Sequence, residues 1–238
     1  MTWNLSNFDK FQPLLPSELL TYQRLSIDVS GMNWPPPSSS AAHRGAHRAA
    51  FATFVQRFYN MTSLVISGNL PLFDIADFDG ALFCTHLTMY TGSILFMGAL
   101  HHLCNLEFIT LTDFDLLDSD IFTHFPTTFF WSTSRLQTYM WDEDALKHVL
   151  ECSHSLSNLT MDVGDEDVEW MDILNFLSTV LECRPHLAKL TINAYIPPLE
   201  WVLLNKFHKF KQLCPDLTEL VVDGRKWKYR LGMWSEVV

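Results

Sequence analysis

The sequence predicts an α/β solenoid, an arc or horseshoe with a parallel sheet on its concave face and helices on its convex face. Three observations lead there: a phrase that recurs along the chain, apolar alternation of period two inside each copy, and helical spacing between copies. The clearest copy is Cys214-Pro215-Asp216-Leu217-Thr218-Glu219-Leu220-Val221-Val222. Cys183 to Ile192 and Cys152 to Met161 keep the same order of apolar positions.

Taken from the N-terminus, residues 1–20 read as a capping segment, and Met1-Thr2-Trp3-Asn4 lacks the charged-then-apolar order of a secretory signal. Residues 21–224 then hold about eight irregular copies of the pattern apolar-x-x-Leu-x-apolar. In order they are Tyr22/Leu25/Ile27, Met61/Leu64/Ile66, Cys84/Leu87/Met89, Leu106/Ile109/Leu111, Leu136/Tyr139/Trp141, Leu156/Leu159/Met161, Leu187/Leu190/Ile192 and Leu217/Leu220/Val222. Most central positions lie within or just above the roughly 20–29 residue period of leucine-rich repeats, which makes this a leucine-rich-repeat array. The wide first gap is filled by residues 31–48, where Pro35-Pro36-Pro37 and Ser38-Ser39-Ser40 predict a flexible insertion. Residues 225–238 predict a basic and aromatic tail that caps the last copy.

Within a copy, Leu-x-apolar is a short strand: Leu64 and Ile66 point inward, Val65 and Ser67 outward. Between copies, Phe51–Tyr59, Ile94–Leu103, Ala145–Cys152, Val168–Leu181 and Leu199–Leu213 place apolar residues three or four apart and predict helices. Asp165, Glu166 and Asp167 precede one of them, where a helix N-terminus favours acids. Strand and helix each have one apolar face that only a neighbour can cover, so the array must stack.

Composition agrees with a packed chain. Of 238 residues 48% are apolar and 18% charged, a globular balance. No run reaches the roughly 20 apolar residues of a membrane span, and intracellular residence, cytoplasmic or nuclear, is the expectation. The five cysteines form no CxxC pair and sit at the starts of copies, so they read as buried structural thiols. From Glu107 to Glu169 fourteen acids face only Arg135 and Lys147. An acidic loop edge follows, which reads either as a solvated edge carrying acids at helix N-termini or as a ridge that would steer a basic partner. With a net charge of −11 the chain lacks the positive field that nucleic acid requires.

The outward strand positions are the predicted partner face, and on it Tyr90, Thr112, Met140, Asp142, Asp162, Asn193 and Asp223 are the contact candidates. A large or charged side chain on an exposed strand needs a reason, whereas Thr88, Thr110, Thr160 and Thr191 are explained by strand preference alone. Chemistry finds no foothold. His43 and His47 have metal-pair spacing but fall in the insertion, and there is neither a phosphate-cradling glycine loop nor a Gly-x-Ser-x-Gly elbow. No catalytic residue, cofactor or metal is expected, and the chain is read as a non-enzyme.

The Cys-Pro-x-Leu-x-x-Leu-x-apolar form at Cys214, with its looser copy at Cys183, resembles the leucine-rich repeats of F-box proteins, above all the irregular repeats of the F-box family of mushroom-forming fungi. That resemblance implies a protein-recognition module recruiting substrate to a cullin-type ubiquitin ligase. Leu14-Leu15-Pro16-Ser17-Glu18-Leu19-Leu20 is similar to the opening of an F-box, but Tyr22 to Ile27 follows at once as a strand. A complete F-box is therefore not expected, which leaves docking on the ligase adaptor open. The alternative is an acidic-edged scaffold or inhibitor of a basic protein, unconnected with ubiquitination.

Overall fold

A computed structural model describes residues 2–4, 23–32, 34–36, 38–58, 60–71, 73, 84–100, 105–112, 130–139, 143–163, 169–183, 186–194 and 200–237. The chain is α/β with a mostly parallel sheet, and it packs as two units, Met1–Asp113 and Phe114–Val238. In the first, β1 (Thr2–Asn4), β2 (Arg24–Asp28), β3 (Ser63–Ser67), β4 (Met89–Gly92) and β5 (Phe108–Leu111) pair in chain order, every neighbour parallel. In the second, β6 (Arg135–Tyr139), β7 (Asn158–Asp162), β8 (Lys189–Asn193) and β9 (Glu219–Val222) repeat that arrangement. A final antiparallel ribbon, β10 (Arg225–Arg230) and β11 (Met233–Val237), pairs onto β9.

Period-two patterning sets which side of each strand is buried. Leu25 and Ile27 are buried on β2, Leu64 and Ile66 on β3, Leu190 and Ile192 on β8, and Leu220 and Val222 on β9. The residues between them stay half-exposed or exposed. Each such aliphatic side chain contributes roughly 1.5–3 kcal/mol on burial.

Backbone hydrogen bonds define the unit more sharply than side chains do. A tight turn precedes many strands, with an N–H reaching the carbonyl three residues back: Met61 to Phe58, Leu87 to Cys84, Thr133 to Phe130, Leu156 to Ser153 and Leu217 to Cys214, at 2.8–3.2 Å. One carbonyl of the preceding unit then accepts from two successive N–H groups of the next. In the first unit, Gln23 O takes Thr62 and Ser63, Thr62 O takes Thr88 and Met89, and Thr88 O takes Glu107 and Phe108. In the second, Ser134, Ser157 and Ala188 accept in the same way.

Two predicted registers slip by three residues. Tyr90, not Leu87, pairs with Leu64 and Ile109, and Leu136, not Tyr139, pairs with Leu159. On β4 the inward pair is Tyr90 and Gly92, while Met89 is 43% exposed. On β6 it is Leu136 and Thr138, with Thr133 buried just before the strand. Tyr90-x-Gly92 and Leu136-x-Thr138 each lack a second apolar inward residue, whereas Leu87-x-Met89 and Tyr139-x-Trp141, three residues away, carry one.

The helices are α1 (Ala41–Gln56), α2 (Met97–Leu100, after a 3-10 turn at Ile94–Phe96), α3 (Glu143–Cys152), α4 (Trp170–Val180) and α5 (Glu200–Leu213). Helix α1 corrects the expected flexible insertion: Ala41 to Arg48, inside 31–48, are helical. The Ser40 side chain accepts from His43 N at 3.3 Å, capping a helix that buries Phe51, Ala52, Phe54 and Val55. Helix α4 buries Ile173, Leu174, Leu177 and Val180 and continues into a 3-10 turn at Leu181–Cys183. Helix α5 buries Phe207 and Phe210, and the Lys211 amine donates to the carbonyls of Pro215 and, at 2.9 Å, Leu217.

Two clusters of rings consolidate the units. In the first, Phe73 meets Phe51 at 5.4 Å and Phe96 at 5.3 Å, and Tyr90 stacks on Phe96 at 6.1 Å. In the second, Phe207 lies 5.3 Å from Trp227 and 5.8 Å from Trp234, whose indole Nε1 donates to Phe207 O at 3.2 Å. Both hairpin turns of the second unit hold two residues at positive φ: Asp223-Gly224 (47° and 76°) and Leu231-Gly232 (52° and 84°). Asp-Gly suits this turn. Leucine has no such suitability, and left-handed backbone costs an ordinary residue roughly 1–2 kcal/mol.

Of the cysteines, Cys84, Cys152 and Cys214 are buried, and Cys104 lies outside the described residues. Burial pushes the Cys84 thiol up, away from thiolate chemistry. Cys183 departs from the expectation of full burial: it is half-exposed and donates to Glu151 Oε1 at 3.4 Å. Partial burial and the Glu151 carboxylate both raise its pKa.

Candidate functional site

The outward side of the second unit's sheet is a set of rows fixed by strand register. The row at the strand starts is Arg135, Asn158, Lys189 and Glu219, with Lys228 of β10 beside Glu219. The middle row is Gln137, Thr160, Thr191 and Val221, with Lys226 alongside. The row at the strand ends is Tyr139, Asp162 and Asn193.

Two carboxylates organise this face. Asp162 accepts from Gln137 Nε2 at 2.8 Å and from Asn193 Nδ2 at 2.6 Å, so both of its oxygens are held by amides from adjacent strands. Glu219 sits between Lys189 at 2.9 Å and Lys226 at 2.7 Å. Burial alone would raise the Glu219 pKa, but the two ammonium groups outweigh it and hold the carboxyl below its ordinary 4.5. A depressed acid contributes stability that is full above its unfolded value and lost as pH falls through its folded value. The expected outcome is that wild type melts above Glu219→Gln at neutral pH, and that the gap closes on acidification below pH 4.5. A gap that persists unchanged at low pH would contradict the paired geometry.

The seven predicted contact residues do not form one group. Tyr90 is corrected outright: it is 1% exposed, and its hydroxyl donates to Ser93 O at 2.7 Å inside the core. The slipped register had turned it outward. Thr88 precedes β4 rather than lying on its face, and Thr91 holds the outward position paired with Thr110. Asp223 sits at the apex of the β9–β10 turn, where its φ of 47° gives its identity a conformational reason. Thr112 follows β5 and is exposed. Asp162 and Asn193 meet on neighbouring strands, while Met140 and Asp142 lie outside the described residues.

Several residues of the face were missed. Gln137 was hidden by the register slip on β6. Lys226, Lys228 and Arg230 belong to a strand and not to the expected capping tail, and their alternation with Trp227 and Tyr229 is its period-two signal in Arg225-Lys226-Trp227-Lys228-Tyr229-Arg230. Of the acidic stretch, Glu143 and Asp144 occupy the first turn of α3, where they favour the helix, and Glu143 pairs with Lys147 at 2.7 Å. Asp113 to Asp120 and Asp165 to Asp167 lie outside the described residues.

Among the described residues no group of three or more His, Cys, Asp or Glu side chains is placed to hold a metal ion. The His43 and His47 rings stand 4.9 Å apart on consecutive turns of α1. No described helix is long and apolar enough to cross a membrane. The segment 14–20 that resembles an F-box opening is outside the described residues.

No protein-family model matches the chain, and no curated protein matches it. Among solved structures it is similar to the leucine-rich repeat-containing protein LegL7 from Legionella pneumophila, with a TM-score of 0.49 and 14% identity over 93% of this chain and 74% of that one.

Proposed function

We propose that the chain is a non-enzymatic protein-recognition module of the leucine-rich-repeat type, which takes its partner on the outward strand face. The observation that carries this reading is a parallel sheet with one open side. All-parallel sheets almost always have both faces covered, yet Val65, Thr91, Thr110, Gln137, Thr160 and Thr191 are only half-buried between fully buried neighbours. A repeat array with helices on one side leaves such a face for binding.

Photo-crosslinking side chains at Thr160 and Thr191 test it against others at Asp172 and Asn175 on the exposed side of α4. Partner adducts are expected from the strand positions and not from the helix. Adducts from α4 alone would overturn the reading. The resemblance to F-box repeats supports a finer version, in which the partner is a ligase substrate. Purification with neither the ligase adaptor nor ubiquitinated species bound would remove that version and leave recognition standing.

A further inference from the structure

The outward side of the second unit sorts charge along its strands. Asp162 lies at the strand ends, while Lys189 and Lys228 lie in the starting row and Arg230 one step beyond it. Glu219 is already shared between Lys189 and Lys226. Lys228 and Arg230 have no carboxylate partner among the described residues. A chain of net charge −11 thus presents a cationic strip at its C-terminal ribbon.

An independent observation comes from the ribbon's tip. Leu231 is held at φ 52° and is 99% exposed, so it has neither the conformational suitability of Asp223 in the sister turn nor any burial. Backbone strain of this kind concentrates where function requires it. Met233, 62% exposed, and Val237, 46% exposed, continue the apolar surface along the outward side of β11. β11 pairs only with β10 among the described residues. Its one charge, Glu236, is clamped by Arg225 at 2.8 and 2.7 Å, so the strand has no lysine or proline to block addition at its outer edge.

We propose that the β10–β11 ribbon docks an extended acidic peptide as an added strand along β11. Main-chain hydrogen bonds would come from the free edge, and alternate side chains would set specificity. Carboxylates of the peptide face Lys228 and Arg230, and its apolar side chains rest on Leu231, Met233 and Val237. Ser235, opposite Lys228 in register, is small enough to let the lysine reach across it. This names the partner chemistry for one end of the open face and rests on the recognition reading above.

The test is fluorescence anisotropy of the full chain with labelled peptides of about ten residues in which every second position runs Val, Glu, Val, Glu with Thr between, so that acids and apolar groups share one face of the added strand. Micromolar binding is expected, weakened about tenfold by raising salt and by the double variant Lys228→Glu/Arg230→Glu. Peptides with Lys in place of Glu should not bind. Leu231→Asn should also weaken binding, yet melt no lower than wild type, because Asn tolerates left-handed backbone. That opposition separates a lost contact from a damaged fold.

No binding by the acidic peptides at about 1 mM, equal binding by the lysine peptides, or unchanged affinity in the double variant overturns the proposal. So does either of two other occupants in place of the peptide: phosphatidylserine-containing vesicles that sediment the chain, or self-association that Leu231→Asn abolishes. A partner that still crosslinks from Thr160 and Thr191 in the double variant would sink the ribbon proposal alone. Peptide binding without those crosslinks would sink the face reading alone.

Discussion

Gly92→Val is expected to unfold the Met1–Asp113 unit. A Cβ at Gly92 would stand 2.7 Å from the Tyr90 hydroxyl and 2.9 Å from the backbone carbonyl of Ile66. Ile66 O belongs to the neighbouring strand and cannot yield without breaking the sheet. Tyr90 cannot swing aside either, because it is buried and its hydroxyl is bonded to Ser93 O. Overpacking costs roughly 1–3 kcal/mol, and stranding a buried hydroxyl adds a similar amount. A loss of at least about 3 kcal/mol is the expected result in urea unfolding. The position is a glycine because the tyrosine already fills the space that Ile66 or Leu111 fills on adjacent strands. It follows that Tyr90→Phe should recover part of the loss in Gly92→Ala, since it removes the nearest atom. A double-mutant cycle showing no coupling would refute this packing.

The second large effect belongs to Phe207→Ala. Phe207 is fully buried beneath both Trp227 and Trp234 and supplies the carbonyl for the Trp234 indole. Truncation of a buried phenylalanine costs roughly 3–5 kcal/mol. The opened space lies under the two tryptophans, so their emission should shift to the red before global unfolding. Emission unchanged from wild type, with an unchanged urea midpoint, would mean that the ribbon does not depend on α5.

Strand order and the helical segments were legible in the sequence because burial imposes two separable periods. Leu64-x-Ile66 and Leu190-x-Ile192 announce their inward faces directly. Legibility failed where an inward position had been filled by other means. Gly92 is small because Tyr90 is large, and Thr138 is fully buried on β6 where its neighbours carry Met161 and Ile192. Helix α1 was missed at its start because Pro35 to Ser40 suggests a loop, whereas Ser40 is the cap that begins the helix. The candidate face was only partly readable. Asp162 and Asn193 followed from period alone, but the cationic strip required knowing that residues 225–237 return as two strands.

The doubly accepting carbonyls have a consequence for how such a chain can evolve. In six places consecutive copies are linked by one backbone carbonyl that accepts from two successive N–H groups, and the acceptors are Gln23, Thr62, Thr88, Ser134, Ser157 and Ala188. Hydroxyls of Thr62, Thr88, Ser157 and Thr218 add to four of them. Four residue types supply these carbonyls, so the accepting side of the joint is blind to side-chain identity. Copies joined this way are free to drift in sequence until only the spacing of a few inward residues records their common plan. A duplicated or deleted unit finds the same backbone partner on either side, and the array can lengthen, shorten and diverge without renegotiating its connections.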